Sequence, residues 1–81
     1  MEIRFSKTAA KALLRSDKRR LIREKIDELA QNPDAMKTNV IKLQGLPEFR
    51  LRVQDWRIIF RIEENILWID DIGPRGSIYQ E

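Results

Sequence analysis

Apolar and polar positions change rhythm once along the 81-residue chain. The opening EIRF alternates, as a short half-buried strand does. Ser6 then offers an N-cap oxygen, and KTAAKALLR carries alanines and leucines at helical spacing. Ser16-Asp17 is a second capping signal. Behind it Ile22, Ile26, Leu29 and Ala30 fall at i, i+4, i+7 and i+8, the stripe of an amphipathic helix. Asn32-Pro33 ends that stripe, because proline has no N–H to donate and disfavours a helical residue before it. Two antiparallel helices joined near Ser16 are predicted.

Beyond Asp34 the helical period is lost. NVIKLQG reads as a strand, and Gly45-Leu46-Pro47-Glu48 as a turn. FRLRV, WRIIFRI and ILWIDDI follow as three strands rich in β-branched and aromatic residues. The closing GPRGSIYQE reads as a loop with at most one short strand. The expected fold class is α+β: a strand, two antiparallel helices, then a mostly antiparallel four- to five-stranded sheet, in one domain over residues 1–81.

A two-residue loop at Gln54-Asp55 sets a register in which Val53 faces Trp56, Arg52 faces Arg57 and Leu51 faces Ile58. Phe49, Leu51, Val53, Trp56, Ile58, Phe60 and Ile62 then share one side, an apolar surface for the helices. Arg50, Arg52, Arg57 and Arg61 share the other, with Ile59 among them. Opposed like charges about 5 Å apart destabilise a sheet, by roughly 1–3 kcal/mol before the side chains splay. Fold stability does not explain Arg52 against Arg57; an anion bound between them does, the plainer alternative being that these arginines splay into water or pair with Asp70 and the glutamates. Planar guanidinium forks suit phosphate oxygens. Arg61 has a simpler reading. A turn at Glu64-Asn65 brings Asp70 to its face as an ion-pair partner.

Composition narrows the chemistry. With 42% hydrophobic and 36% charged residues, the chain reads as a globular domain. It has no apolar run long enough to span a membrane, and MEIRFSKTAAK has charges where a secretion signal needs an apolar stretch. There is no cysteine and no histidine. That excludes disulfides, thiolate chemistry, the usual zinc sites and histidine-based triads, and it suits a cytoplasmic setting. No metal and no cofactor is expected. The formal charge is +3, with nine basic residues from Arg4 to Lys25 against Asp17 and Glu24.

The run FRLRVQDWRIIFRIEENILWIDDIGPRGSIY resembles the C-terminal core of the RelE/ParE superfamily of bacterial toxin–antitoxin toxins. There a basic hairpin is followed by a strand ending in Gly-x-Arg and a terminal aromatic. The resemblance extends from FSKTAAKALLR to Tyr79 and implies the RelE-like microbial RNase fold. It also implies a cytoplasmic type II toxin neutralised by a cognate antitoxin, with no membrane partner and with DNA reached only through the antitoxin in the complex. In the RelE-like branch, favoured here, the toxin enters the ribosomal A site and cuts mRNA without a metal. The 2′-hydroxyl attacks the adjacent phosphate, leaving a cyclic phosphate and a 5′-hydroxyl. In the ParE-like branch the same fold inhibits DNA gyrase. A weakly active toxin-fold protein that mainly binds its antitoxin is a third reading.

Carried over residue by residue, the family's basic and aromatic positions fall on Arg50, Arg52, Arg57, Arg75 and Tyr79; Arg52, Arg57, Arg75 and Tyr79 are the expected catalytic residues, and Arg50, with Lys42 and Arg61, the expected RNA contacts. Arg57 is the candidate phosphate clamp, Arg75 lies beside the leaving oxygen, and Tyr79 stacks on a base. Pro74 stands where many relatives carry histidine or lysine, so histidine-dependent acid catalysis is not expected. Arg52 stays protonated and is a poor proton acceptor. Its expected part is to ease ionisation of the 2′-hydroxyl electrostatically while the RNA or the ribosome accepts the proton.

Overall fold

The computed structural model describes residues 1–74. Within them β1 (Glu2–Phe5), α1 (Lys7–Arg15), α2 (Arg19–Gln31), β2 (Val40–Lys42), β3 (Phe49–Val53), β4 (Trp56–Glu63) and β5 (Ile66–Pro74) follow one another. The five strands form one sheet in the order β1-β5-β4-β3-β2. β1 runs parallel to β5, and every other neighbouring pair is antiparallel. The α+β class and the mostly antiparallel sheet are as expected.

Ser6 starts α1 from an extended backbone. Its hydroxyl oxygen accepts the Ala9 N–H at 3.0 Å while its O–H donates to the Asp70 carbonyl at 2.8 Å. One side chain thus caps a helix and ties it to β5. Ser16 acts differently from the predicted N-cap. It is buried where α1 ends, and its oxygen accepts the Lys18 N–H at 3.0 Å. α2 begins at Arg19 behind Lys18, whose side chain makes no capping bond.

Ile22, Ile26, Leu29 and Ala30 are the buried residues of α2, which is the stripe read from the sequence. They pack with Ala9, Leu51, Val53, Ile58, Phe60, Leu67, Ile69 and Ile72 into one core between the helices and one face of the sheet. Phe49 and Trp56 are partly buried against it, and the Phe49 and Phe60 rings stack with centroids 5.6 Å apart. Ile62 is 40% exposed and borders a cleft of about 290 Å³ with Leu29, Pro33, Val40 and Phe49.

Three local readings change. Pro33–Asn39 forms 3₁₀ turns, with Met36 buried at their kink, where no element was predicted. β2 is only three residues long, and Gly45 in the following turn has φ +77°, a conformation glycine adopts without strain. Gly73-Pro74 continue β5 rather than opening a loop. Both hairpins have the expected loops: Gln54 has φ 53°, and Glu64 and Asn65 have φ 51° and 61°.

Ser6→Ala removes the cap and the tie to β5 together, and is expected to cost about 1–2 kcal/mol in urea unfolding. Ile58→Ala, in the centre of the core, is expected to cost about 2–5 kcal/mol in the same measurement.

Candidate functional site

Side chains alternate across a strand, so pairing alone defines what lies on the sheet face turned away from the helices, here the distal face. Arg52 pairs with Arg57, and Arg57 in turn with Gly73 on β5. The neighbouring row runs Ile41, Arg50, Ile59, Asp71 across β2, β3, β4 and β5. A third row holds Arg61, Trp68 and Arg4 across β4, β5 and β1. Arg50, Arg52 and Arg57 therefore form one group at the hairpin end of the face.

They differ in exposure. Arg50 is 9% and Arg57 7% exposed, while Arg52 is open to solvent. The difference follows from the short edge strand. Pairing of β2 with β3 begins at Val40–Leu51, so Arg50 is flanked by Ile41 and Ile59 whereas Arg52 has no β2 partner beyond it. Arg52 instead borders a cavity of about 200 Å³ with Leu21, Lys25, Met36 and Asn39. Ile59 is fully buried although it lies on the distal face.

The surroundings of Arg50 are unfavourable to its charge. Burial lowers the Arg50 pKa below the ordinary arginine value, and the positive charges of Arg57 and Arg52 lower it further. Arg57 turns its Nη1 back to the carbonyl oxygens of Gln54 and Trp56, each at 3.5 Å. Such long contacts are weak hydrogen bonds.

Arg61 belongs to another environment. Its Nε donates to Asp70 Oδ2 at 3.0 Å and its Nη1 to Glu63 Oε1 at 2.7 Å. Hydrogen bonding to Glu63, with the charge of Asp70, raises its pKa against the opposing effect of burial. Its guanidinium also lies 4.9 Å from the centroid of Trp68, with Arg4 at 5.5 Å from the same ring and paired to Glu2. Its charge is thus largely engaged within the chain.

Lys42 does not join the group. It pairs with Phe49, which places it on the helix-bearing side at the sheet edge. Its ammonium lies 5.6 Å from the Phe49 ring and donates to the Leu43 and Leu46 carbonyls. Arg75 and Tyr79 lie outside the described residues. Among the described residues no three histidine, cysteine or acidic side chains come together as a metal site.

One polar residue of this face was not singled out from the sequence. The β4–β5 register shifts between Ile59 and Phe60: Ile59 pairs with Asp71, Phe60 with Ile69, and Asp70 is the extra residue. The bulge brings Asp71 to the distal face, where its Oδ1 accepts the Ile72 N–H at 2.9 Å. The signal was present in Ile69-Asp70-Asp71-Ile72, where two acids between apolar residues break strict alternation.

The family profile described as the ParE toxin of type II toxin–antitoxin system, parDE, matches residues 3–79. Among curated protein sequences none matches significantly. The chain is similar to solved structures over nearly its whole length. Against the archaeal RelE–RelB complex of Pyrococcus horikoshii OT3 it is 28% identical, covering 95% of this chain and 97% of that one, with a TM-score of 0.77. Against the RelB–RelE antitoxin–toxin complex of Methanococcus jannaschii the identity is 26%, with 93% of each chain covered and a TM-score of 0.72. YafQ from E. coli strain BL21(DE3) shares the fold at 18% identity, with 98% of each chain covered and a TM-score of 0.76.

Relieving the cross-strand repulsion gives a stability test. Arg52→Thr, a residue suited to a strand, is expected to raise unfolding stability by up to about 1 kcal/mol. Inorganic phosphate is expected to raise the melting temperature of the parent chain more than that of the variant.

Proposed function

The chain belongs to the ParE toxin family of type II toxin–antitoxin systems, within the RelE/ParE superfamily, and on that premise we propose that it is a ribosome-dependent mRNA endoribonuclease held inactive by a cognate antitoxin. The observation that carries this reading is the in-register pairing of Arg52 with Arg57, with Arg50 on the same face. Such a group costs the fold energy and suits a phosphodiester. Structural neighbours at 28% and 26% identity are RelE proteins bound to RelB, which supports both the RelE-like branch and the antitoxin partner.

In-line attack by a 2′-hydroxyl builds negative charge on the nonbridging phosphate oxygens. Fixed cations oriented before the reaction stabilise that charge without reorganising solvent. Arg57 acts as the clamp, since the sheet holds it at the centre of the hairpin pair. Arg52 is exposed and meets the RNA first; Arg50 adds positive potential from beneath. The antitoxin carries an acidic segment that competes for the same face and folds as it binds.

The matching family profile favours a second reading, inhibition of DNA gyrase. The two make opposite statements about RNA. In a translating extract supplied with the purified protein, mapped mRNA ends are expected to fall in codon register. Intact mRNA with inhibited supercoiling identifies the gyrase activity instead. Arg57→Ala is expected to lower the cleavage rate about 10²–10³-fold.

A further inference from the structure

We infer that Asp71 is the proton acceptor for the attacking 2′-hydroxyl, an assignment that rests on the ribonuclease reading above. A guanidinium group cannot take that proton, and the chain has no histidine and no cysteine. Four carboxylates lie on the distal face: Glu2, Glu63 and Asp71 by pairing, and Asp70 of the bulge by its bond to Arg61. Glu2 is bound to Arg4, and Glu63 and Asp70 are both bound to Arg61. Among the described residues Asp71 is the one carboxylate of this face that forms no ion pair.

Its position fits the task. Asp71 lies opposite Ile59, one row from the Arg52–Arg57 pair and diagonal to Arg57 across β4 and β5. Diagonal neighbours sit about 7–8 Å apart. From diagonal positions a long arginine side chain and a carboxylate are within reach of one nucleotide, the guanidinium at a phosphate oxygen and the carboxylate at the neighbouring O2′. Asp71 is partly exposed, and the Ile72 N–H holds one carboxylate oxygen, which leaves Oδ2 for the hydroxyl.

The step balances as follows. Asp71 takes the 2′-hydroxyl proton as O2′ forms its bond to phosphorus and the P–O5′ bond breaks. The charge on the nonbridging oxygens faces Arg57 and Arg52. The leaving 5′-oxygen takes a proton from water, and Asp71 returns its own to solvent. The products are a 2′,3′-cyclic phosphate and a 5′-hydroxyl, with no oxidant, reductant or metal consumed.

The test compares the parent chain with Asp71→Asn, Asp71→Glu and Asp70→Asn on programmed ribosomes. Asparagine keeps an oxygen for the Ile72 N–H, so the bulge is retained, and an unchanged melting temperature checks this. Asp71→Asn is expected to lower kcat about 10²–10⁴-fold while KM stays within about twofold. Asp71→Glu is expected to restore part of that loss, and Asp70→Asn to change kcat less than about threefold. Cleavage by Asp71→Asn at the parent rate overturns the assignment alone. Intact mRNA with the parent chain overturns the ribonuclease reading, and this assignment falls with it.

Discussion

The pairing of Val53 with Trp56 across the Gln54-Asp55 loop fixes which face every later side chain of β3 and β4 occupies. A slip of one residue turns Leu51, Val53, Ile58 and Phe60 outward and sends the arginines into the core. Burying those four apolar side chains contributes roughly 1.5–3 kcal/mol each. The repulsion between Arg52 and Arg57 opposes this with only about 1 kcal/mol once the side chains splay. The core therefore wins by a wide margin. Its register obliges two guanidinium groups to face one another, and the hairpin holds them there.

The bulge on β5 resolves a second conflict between core and charge. Leu67 and Ile69 face the helices, so strict alternation would carry Asp71 into the core beside them. An ionised carboxylate there would lack water, at a cost of several kcal/mol. The extra residue lets Ile69 and Ile72 both remain buried while Asp70 and Asp71 stay on the distal face. A single irregularity thus gives Arg61 its partner and puts a second carboxylate near the arginine group. Bulges redirect side chains beside functional sites for this geometric reason.

The parts of the fold legible in the sequence are those governed by a local period or a short loop. Ile22, Ile26, Leu29 and Ala30 are spaced by the helix itself, and Gln54-Asp55 and Glu64-Asn65 set their registers within two residues. What escaped depends on more distant structure. Ser16 is buried by packing rather than by its capping preference. Pro33–Asn39 has too little hydrophobic periodicity to declare its 3₁₀ turns. Pairing parity shows that Arg50, Arg52 and Arg57 share a face, but the cover of Arg50 by Ile41 and Ile59 and the exposure of Arg52 depend on where the short β2 ends. Lys42 is removed from the group by the same parity, once β2 is seen to pair with β3 at Ile41–Arg50. The site was therefore readable as a set of charges and unreadable as a set of environments.

Those environments divide the distal face into unequal halves. Around Trp68, the two arginines Arg4 and Arg61 face three carboxylates, Glu2, Glu63 and Asp70, so no net positive charge is left to attract an anion. Around Ile59, the field at Arg50 disfavours its own ionisation. In the proposed function the phosphate binds beside the exposed Arg52 of the second half, where partial burial of its neighbours lowers the effective dielectric and strengthens each charge–charge term. The same desolvation that weakens the folded state increases the stabilisation available to a phosphate in its most highly charged state. A solvated lysine face offers less of that difference, because water already satisfies the charge before the phosphate arrives. With Arg50 and Arg57 under cover and Arg52 in solvent, the proposed ribonuclease has one cation accessible for encounter and two in a medium of lower dielectric.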